Sequence, residues 1–440
     1  MNRRYFLTSA SAAVASRAFA APQKSPNDTI RVACVGLHAR GKVHLRSYPA
    51  LPNVEVVALC DVDQSVLKSA LDLLATRQSK KPAVYTDLRK LLEDKSIDAV
   101  SIATPDHQHA LQTIWACQAG KDVYVEKPCS YNMFETRQMV AASKRYDRIV
   151  QQGSQSRSSP ALQEAVAKMR EGLIGKVYMA RALSYKHREG IGHAPVEPVP
   201  PGVDYDLWLG PAPSHPFTKN RFHYNWHWFW DYGTGDVGNQ GVHEIDIARW
   251  GLGVQYPTRV SAMGSHVLFD DDQETPNLLN CAFEFDESGG RKVLVYELRN
   301  WYSNHEAGIH EFTGYEDQTV KDSTVGDIFY GSKGYLAIDG YNKYQTWLGR
   351  EQEPGPAGKQ DGDHFANFIG AVRSHNRQLL TAEIEEGSIS AVLVHLANIS
   401  YRLGRTLHFD AASYSCIGDA EANRMFTRTY RKPFVVPAQV

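Results

Sequence analysis

Short apolar runs alternate with amphipathic stretches through the first third of the chain. Thr29 to Val35 is the first run, Val54 to Cys60 the second, Asp98 to Thr104 the third and Asp122 to Val125 the fourth. Runs of this length, β-rich and bounded by Gly, Pro or Asp, predict buried strands. Between them Leu67 to Arg77 and His109 to Gly120 carry helical patterning, the second closed by a Gly cap. Strands and helices in alternation predict a parallel sheet wound with helices.

The turn after the first run carries chemistry. Gly36-Leu37-His38-Ala39-Arg40-Gly41 leads from strand to helix, where unpaired helix N–H groups point at phosphate. In the fingerprint G-x-G-x-x-G the first Gly makes the turn and the last permits close helix–strand packing. Gly36 and Gly41 fit those roles, with Leu37 and Arg40 inside the loop. His38 stands where the middle Gly lets backbone approach a pyrophosphate, so its side chain must point away or touch the cofactor itself. Asp61 ends the second run, at the spacing of about 20–25 residues where an acid holds the ribose hydroxyls. That acid repels a 2′-phosphate, so NAD is expected and NADP disfavoured. Ligands of a parallel sheet lie beyond the carboxyl ends of its strands. Thr104, Pro105, His107 and His109 follow the third run there, and Glu126 and Lys127 follow the fourth.

Composition narrows the class. The chain has 440 residues, with 48 Lys plus Arg against 49 Asp plus Glu, a net charge of −1. This balance gives no electrostatic reason to expect a nucleic-acid partner. At roughly 100–200 residues per domain, two or three domains are expected. Six cysteines without a C-x-x-C exclude a disulfide-built scaffold, and Cys34 and Cys60 on neighbouring strands read as core. No apolar run approaches the ~20 residues of a membrane-spanning helix. There is no H-E-x-x-H among the 17 histidines, and no metal site is expected.

The opening Met1-Asn2-Arg3-Arg4-Tyr5-Phe6-Leu7 pairs two arginines ahead of an Ala-rich, weakly apolar stretch ending Ala18-Phe19-Ala20-Ala21. A basic start, a hydrophobic middle and small residues at a cleavage point read as an export signal, and the arginine pair as the twin-arginine route to a periplasmic location. Residues 1–21 are therefore expected to be a signal, 28–150 a dinucleotide-binding domain and 151–440 a second domain for substrate and subunit contacts.

Glu126-Lys127-Pro128 and Thr104-Pro105-Asp106-His107-Gln108-His109 resemble motifs of the Gfo/Idh/MocA family, the glucose–fructose oxidoreductase and inositol dehydrogenase group. Gly172 to Val177, Gly331-Ser332-Lys333-Gly334 and His364 to Phe368 resemble its later landmarks. The resemblance covers nearly all of the mature chain. It implies an α/β N-terminal Rossmann domain, an α+β C-terminal domain with a large, mostly antiparallel open sheet, and a homo-oligomer paired through that sheet.

Gly235 to Gly251 is the other strong segment, helical in pattern from about Asn239. Asn239, His243 and Asp246 recur at i, i+4 and i+7 and share one face. Either Asn239 or Asp246 would fix the His243 tautomer. The segment resembles the family's D-x-G-x-H-x-x-D, in which that His, an Asp four residues before it and the Lys of the triplet surround the substrate hydroxyl. His243 and Asp246 match, but Asn239 stands at the earlier Asp position. An amide takes no proton, so Asn239 can only orient, and Asp236 is the carboxylate placed to compensate. Oxidising a carbinol requires removal of its hydroxyl proton, a task assigned jointly to Lys127 and His243.

Phe217 to Tyr232 holds eight aromatics in 16 positions, interleaved with Arg221, Asn225 and His227. Such rings either stack on the C–H faces of sugars or build a core or an interface. Trp226, His227 and Trp228 are the better site candidates, with Arg221 for hydroxyls and Tyr185, Lys186 and His187 as further cleft residues. The expected activity is a nicotinamide-dependent oxidoreductase acting on CH–OH groups of a sugar, sugar derivative or cyclitol. An exported enzyme must carry its cofactor and regenerate it within its own cycle. A redox-neutral glycosidase or lyase and a sugar-binding protein without turnover are the rival readings. Replacing Arg3 and Arg4 by lysines is expected to hold the protein in the cytoplasm of an exporting host. Fractionation that finds the variant exported as well as the parent contradicts the twin-arginine reading.

Overall fold

The computed structural model describes residues 29–309, 312–313, 319–320 and 323–440. The signal expected at residues 1–21 lies outside the described residues. Six parallel strands form the first sheet: β1 (Ile30–Val35), β2 (Val54–Cys60), β3 (Ala83–Tyr85), β4 (Ala99–Ile102), β5 (Asp122–Val125) and β6 (Val150–Gln152). Their order is 3-2-1-4-5-6, so the winding reverses between β1 and β4. A crevice opens at such a reversal. β4 and β5 are buried along their whole length, which is why they read as continuous runs.

The helices of this half are α1 (Arg40–Ser47), α2 (Gln64–Ala75), α3 (Leu88–Leu91), α4 (Asp106–Gln118) and α5 (Met133–Arg145). Asp63 caps α2 by accepting from the Ser65 and Val66 amides, and Asn132 caps α5. α4 starts three residues before the expected His109, because extended Pro105 serves as its cap. This earlier start turns His107 into a helical residue. Its ring is fully buried, Nε2 lying 2.9 Å from the Trp208 carbonyl and Nδ1 3.3 Å from that of Tyr232. His107 therefore stands outside the cleft, contrary to its expected cofactor role.

The second sheet is mixed and mostly antiparallel. β7 (Val177–Lys186) pairs in parallel with β10 (Gly290–Arg299), and β9 (Leu278–Glu287) and β8 (Arg259–Ser265) follow antiparallel on that side. Ser323–Gly331, Gly334–Asp339 and Lys343–Leu348 continue from the other edge of β7. β8 and β9 alternate exposed and buried positions, as expected of a sheet with one covered face. The chain continues with α6 (Pro160–Arg170), α7 (Tyr205–Leu209), α8 (Val242–Leu252), α9 (His364–Ser374) and α10 (Ile384–Leu403), and that face packs under α6, α8 and α10 around Ile245, Phe283, Phe285, Phe329 and Leu396.

The two halves share cores. Phe365 and Phe368, from the helix His364–Ser374, pack on Val32, Cys34 and Tyr124 of the first sheet. Ile384 and Ala391 of α10 pack on its other side. A buried ion pair lies within the second half, just past β6: Arg157 donates to Asp246 from Nε at 2.7 Å and from Nη2 at 2.9 Å, and Ser390 donates to the same carboxylate. Burial works against charge on Asp246, but Arg157 outweighs it and holds the carboxyl below its usual range. Asp246 is thus a structural anchor one turn beyond His243, and not part of the expected catalytic face.

Residues 187–235 leave β7 as a strap over the first domain. Trp208, Phe217, Phe222, Trp226, Trp228, Phe229 and Tyr232 build a core inside it. The strap docks beside α2, where Gln64 donates to the Gly202 carbonyl at 3.0 Å and Asp204 to that of Val62 at 2.9 Å. Arg157→Ala leaves the Asp246 carboxylate buried without its main partner, and a loss of ~3–5 kcal/mol is expected. Denaturant unfolding checks it; an unchanged midpoint contradicts the anchor.

Candidate active site

A cleft of about 470 Å³ runs from the carboxyl ends of β1, β2 and β4, past β5, to the start of α8. At one end Gly36 adopts φ +75°, and a Cβ there would lie 2.7 Å from the Ala103–Thr104 backbone. A Cβ on Gly41 would lie 2.0 Å from the Gly36 carbonyl oxygen. The loop therefore lies tight on β4 and α1, as both glycine roles require. α1 begins without a side-chain cap, and its Gly41 and Lys42 amides donate to the His38 and Ala39 carbonyls at 2.8 and 3.1 Å. His38 turns its ring onto His223 of the strap, stacked at 4.6 Å and 24°. Leu37 is buried, and its amide donates to Asp61 Oδ2 at 2.7 Å.

Asp61 faces the cleft at the end of β2. Burial pushes its carboxyl up to about 6, against the opposing pull of the Leu37 and Asp63 amides. Thr104 and Pro105 also line the cleft, and Thr104 Oγ1 donates to Gln112 at 2.9 Å. The His109 ring forms wall, but its nitrogens are engaged: Nε2 sits 2.7 Å from the Thr104 carbonyl and Nδ1 2.7 Å from that of Pro128. It staples the turn after β4 to the turn after β5.

The Glu126-Lys127-Pro128 turn divides its tasks. Glu126 Oε1 accepts from Arg40 at 2.6 Å and lies 3.2 Å from His44 Nε2. Burial opposes the charge, yet Arg40 and His44 hold the carboxyl well below its usual range. Lys127 Nζ crosses the cleft and donates to the Asn239 carbonyl at 2.6 Å. Asn239 lies in a π-helical turn, Val237–Gly241, that precedes α8. Such turns recur at functional sites. A Cβ on Gly238 would meet Thr234 Oγ1 at 1.8 Å, so this turn packs down beside Pro128 only with glycine there.

His243 opens onto the cleft one turn later, its ring 5.0 Å from Tyr341. Burial, then the Lys127 charge, push the imidazole well below its usual range. Both effects favour its neutral form. Asn239 Nδ2 donates to Asp236 at 3.2 Å. Asp236 cannot serve as the compensating base: Arg188 grips it from Nε at 2.7 Å and Nη2 at 2.9 Å, and this charge outweighs burial and lowers the carboxyl. Lys186 contacts Gln240 Oε1 at 3.3 Å, and burial, then Arg188, push it down to about 7.

Of the aromatic candidates, Trp226 and His227 line the cleft, stacked at 3.6 Å and 23°. Trp228 is buried beneath Arg188, and Arg221 lies over the Phe229 ring at 5.1 Å, so both belong to the strap's own core. Tyr185 is packed in the sheet with Arg299 3.9 Å from its ring. These three leave the expected substrate set. Arg188, Gln240, Tyr341 and Phe434 line the cleft without having been singled out by sequence. The strand-end rule reaches Arg188, two residues past β7; Tyr341 and Phe434 come from distant segments and carry no local signal.

An ionised carboxylate at this strand end can accept from the ribose hydroxyls of a dinucleotide; protonated, it loses acceptor capacity. Because its folded value sits near 6, NAD affinity is expected to rise roughly ten-fold from pH 5 to pH 7, and Asp61→Asn to flatten that rise. Calorimetry across this range checks it; an equal slope in the variant contradicts the assignment.

Residues 30–154 match the family model described as an oxidoreductase family, NAD-binding Rossmann fold. Residues 170–271 and 343–436 match that of the same family's C-terminal alpha/beta domain. An uncharacterized oxidoreductase, YrbE of Bacillus subtilis (strain 168), is 28% identical over 278 residues, 63% of this chain and 70% of that protein. A glycosyl hydrolase family 109 protein of Shewanella pealeana is 33% identical over 170 residues, spanning 33% of this chain and only 37% of its own length. Levoglucosan dehydrogenase, solved with NADH and levoglucosan, shares the fold at a TM-score of 0.63 and 17% identity, over 86% of this chain and 98% of that one. With both halves matched and the NAD-binding crevice formed at the reversal of strand order, the chain belongs to the Gfo/Idh/MocA oxidoreductase family.

Proposed function

We propose that this protein is an NAD-dependent oxidoreductase that oxidises a CH–OH group of a sugar, sugar derivative or cyclitol, keeping its cofactor between turnovers. The observation that carries this reading is the convergence of Lys127 and His243 on one stretch of cleft beyond β5, tied by the Lys127–Asn239 contact. The tight glycine turn from Gly36 to Arg40, with its Arg40 guanidinium, suits a pyrophosphate, and Asp61 suits the adenosine ribose. Bound there, NAD supplies a hydride acceptor for the carbinol carbon.

The chain's own groups handle the proton. Lys127 Nζ, held by the Asn239 carbonyl, donates a hydrogen bond to the substrate hydroxyl oxygen and stabilises its developing charge. Neutral His243 takes the hydroxyl proton. Asn239 orients the ammonium and carries no proton. The stacked Trp226–His227 face offers a surface for sugar C–H groups. Export by the twin-arginine route and pairing through the C-terminal sheet belong to the same proposal. The similarity to the glycosyl hydrolase family 109 protein favours a second reading, redox-neutral cleavage of a glycoside.

Candidate sugars added to the purified protein are expected to raise the reduced-nicotinamide absorbance. Lys127→Ala and His243→Ala are each expected to slow that step by about 10²–10⁴-fold. Glycoside cleavage without net reduction would favour the second reading. Bound cofactor with no spectral response to any sugar would mean that Asn239 marks lost turnover.

A further inference from the structure

The cleft has a far end, opposite Lys127, whose walls are built, Asp61 apart, by residues outside the expected site. Asp61 and Val62 after β2, Thr86, Asp87 and Leu88 after β3, and Trp115 of α4 form its inner wall. With the ribose at Asp61 and the reacting ring at Lys127, this end receives the adenine. Its outer wall comes from elsewhere in the chain. Leu207 and Trp208 of the strap stand there, and so does Phe434, more than 200 residues further along the chain.

Phe434 is 4% exposed. Its ring centre lies 6.4 Å from that of Trp115, with the Arg89 guanidinium at 5.3 Å and that of Arg431 at 4.9 Å. The segment that carries it laces two bodies together. Toward the strap, Arg431 Nε donates to the Gly210 carbonyl at 2.9 Å and Nη2 to that of Asp206 at 2.6 Å, while Arg428 donates to the Asp231 carbonyl at 2.8 Å. Toward the first domain, Phe434 and Val436 enter the core of Leu88, Leu91 and Leu111. The strap is thereby held from both sides: on α2 by Gly202 and Asp204, and on the tail by Asp206 and Gly210.

We propose that residues 425–440 form a clasp over the adenine subsite, with Phe434 as its outer wall and Arg431 as the pin that holds the strap down. An adenine seated against Trp115 and Phe434 can leave only when the clasp lifts. This rests on the reading of the cleft as a dinucleotide site and deepens it, by naming what retains the nucleotide. Retention is then a property of the adenine end, independent of the chemistry at Lys127.

The test compares the full-length parent with Phe434→Ala, Phe434→Trp and Arg431→Ala. Nucleotide carried through purification is released by heat and quantified, and affinities for NAD, AMP and nicotinamide mononucleotide are measured by calorimetry. Phe434→Ala and Arg431→Ala are expected to lose carried nucleotide and to weaken NAD and AMP at least about ten-fold, with the mononucleotide unchanged. Phe434→Trp is expected to retain parental binding. Arg431→Ala removes no core side chain, so it remains informative if Phe434→Ala fails to fold. Parental retention in both variants overturns the clasp alone. Failure of the parent to bind NAD or AMP overturns the dinucleotide reading and the clasp with it.

Discussion

One contact joins the two halves where the chemistry is assigned: the Lys127 ammonium on the Asn239 carbonyl, 2.6 Å across the cleft. Lys127 belongs to the end of a parallel strand, Asn239 to a π turn at the head of a helix that packs on the other sheet. Neither group is positioned by its own domain alone. α10 and the His364–Ser374 helix enter the cores of the first domain, and Gly238 lets the π turn settle beside Pro128.

Buried charge is arranged around this contact with little redundancy. Glu126 is matched by Arg40 and His44, Asp236 by Arg188, Asp246 by Arg157. Each carboxylate sits below its usual range because a cation outweighs the burial. Such pairs contribute little net stability but are costly to break, so they fix geometry. They also remove these carboxylates as bases. The His243 imidazole, left neutral by burial, is the group to which the proposed mechanism gives the proton.

Much of this was legible in the sequence where local pattern decides structure. The apolar runs, the glycine turn and Asp61 follow the alternation of strand and helix, from which a parallel sheet was expected and is found. The Glu126-Lys127-Pro128 and Asn239–His243 segments were recognisable because their spacing along the chain survives in space. What was hidden depends on partners far apart. Asp246 matches a motif, but Arg157, 89 residues away, claims it. His107 looks like a cofactor contact until the strap's Trp208 and Tyr232 close over it. The aromatic stretch fits both a sugar platform and a core; Trp226 and Trp228 are both buried in the strap, but Trp226 and His227 also line the cleft and Trp228 does not. Phe434 reaches the adenine end through a tail whose path no local pattern records.

The central claim is that the reacting ring of a bound dinucleotide lies where Lys127 and His243 converge. A crystal structure of the full chain grown with NAD tests it most directly. The account predicts the nicotinamide C4 facing a space bounded by Lys127 Nζ and the His243 imidazole, with the adenosine ribose on Asp61. A nicotinamide ring seated away from both groups, or a dinucleotide reversed so that its adenine lies against Lys127, would contradict it.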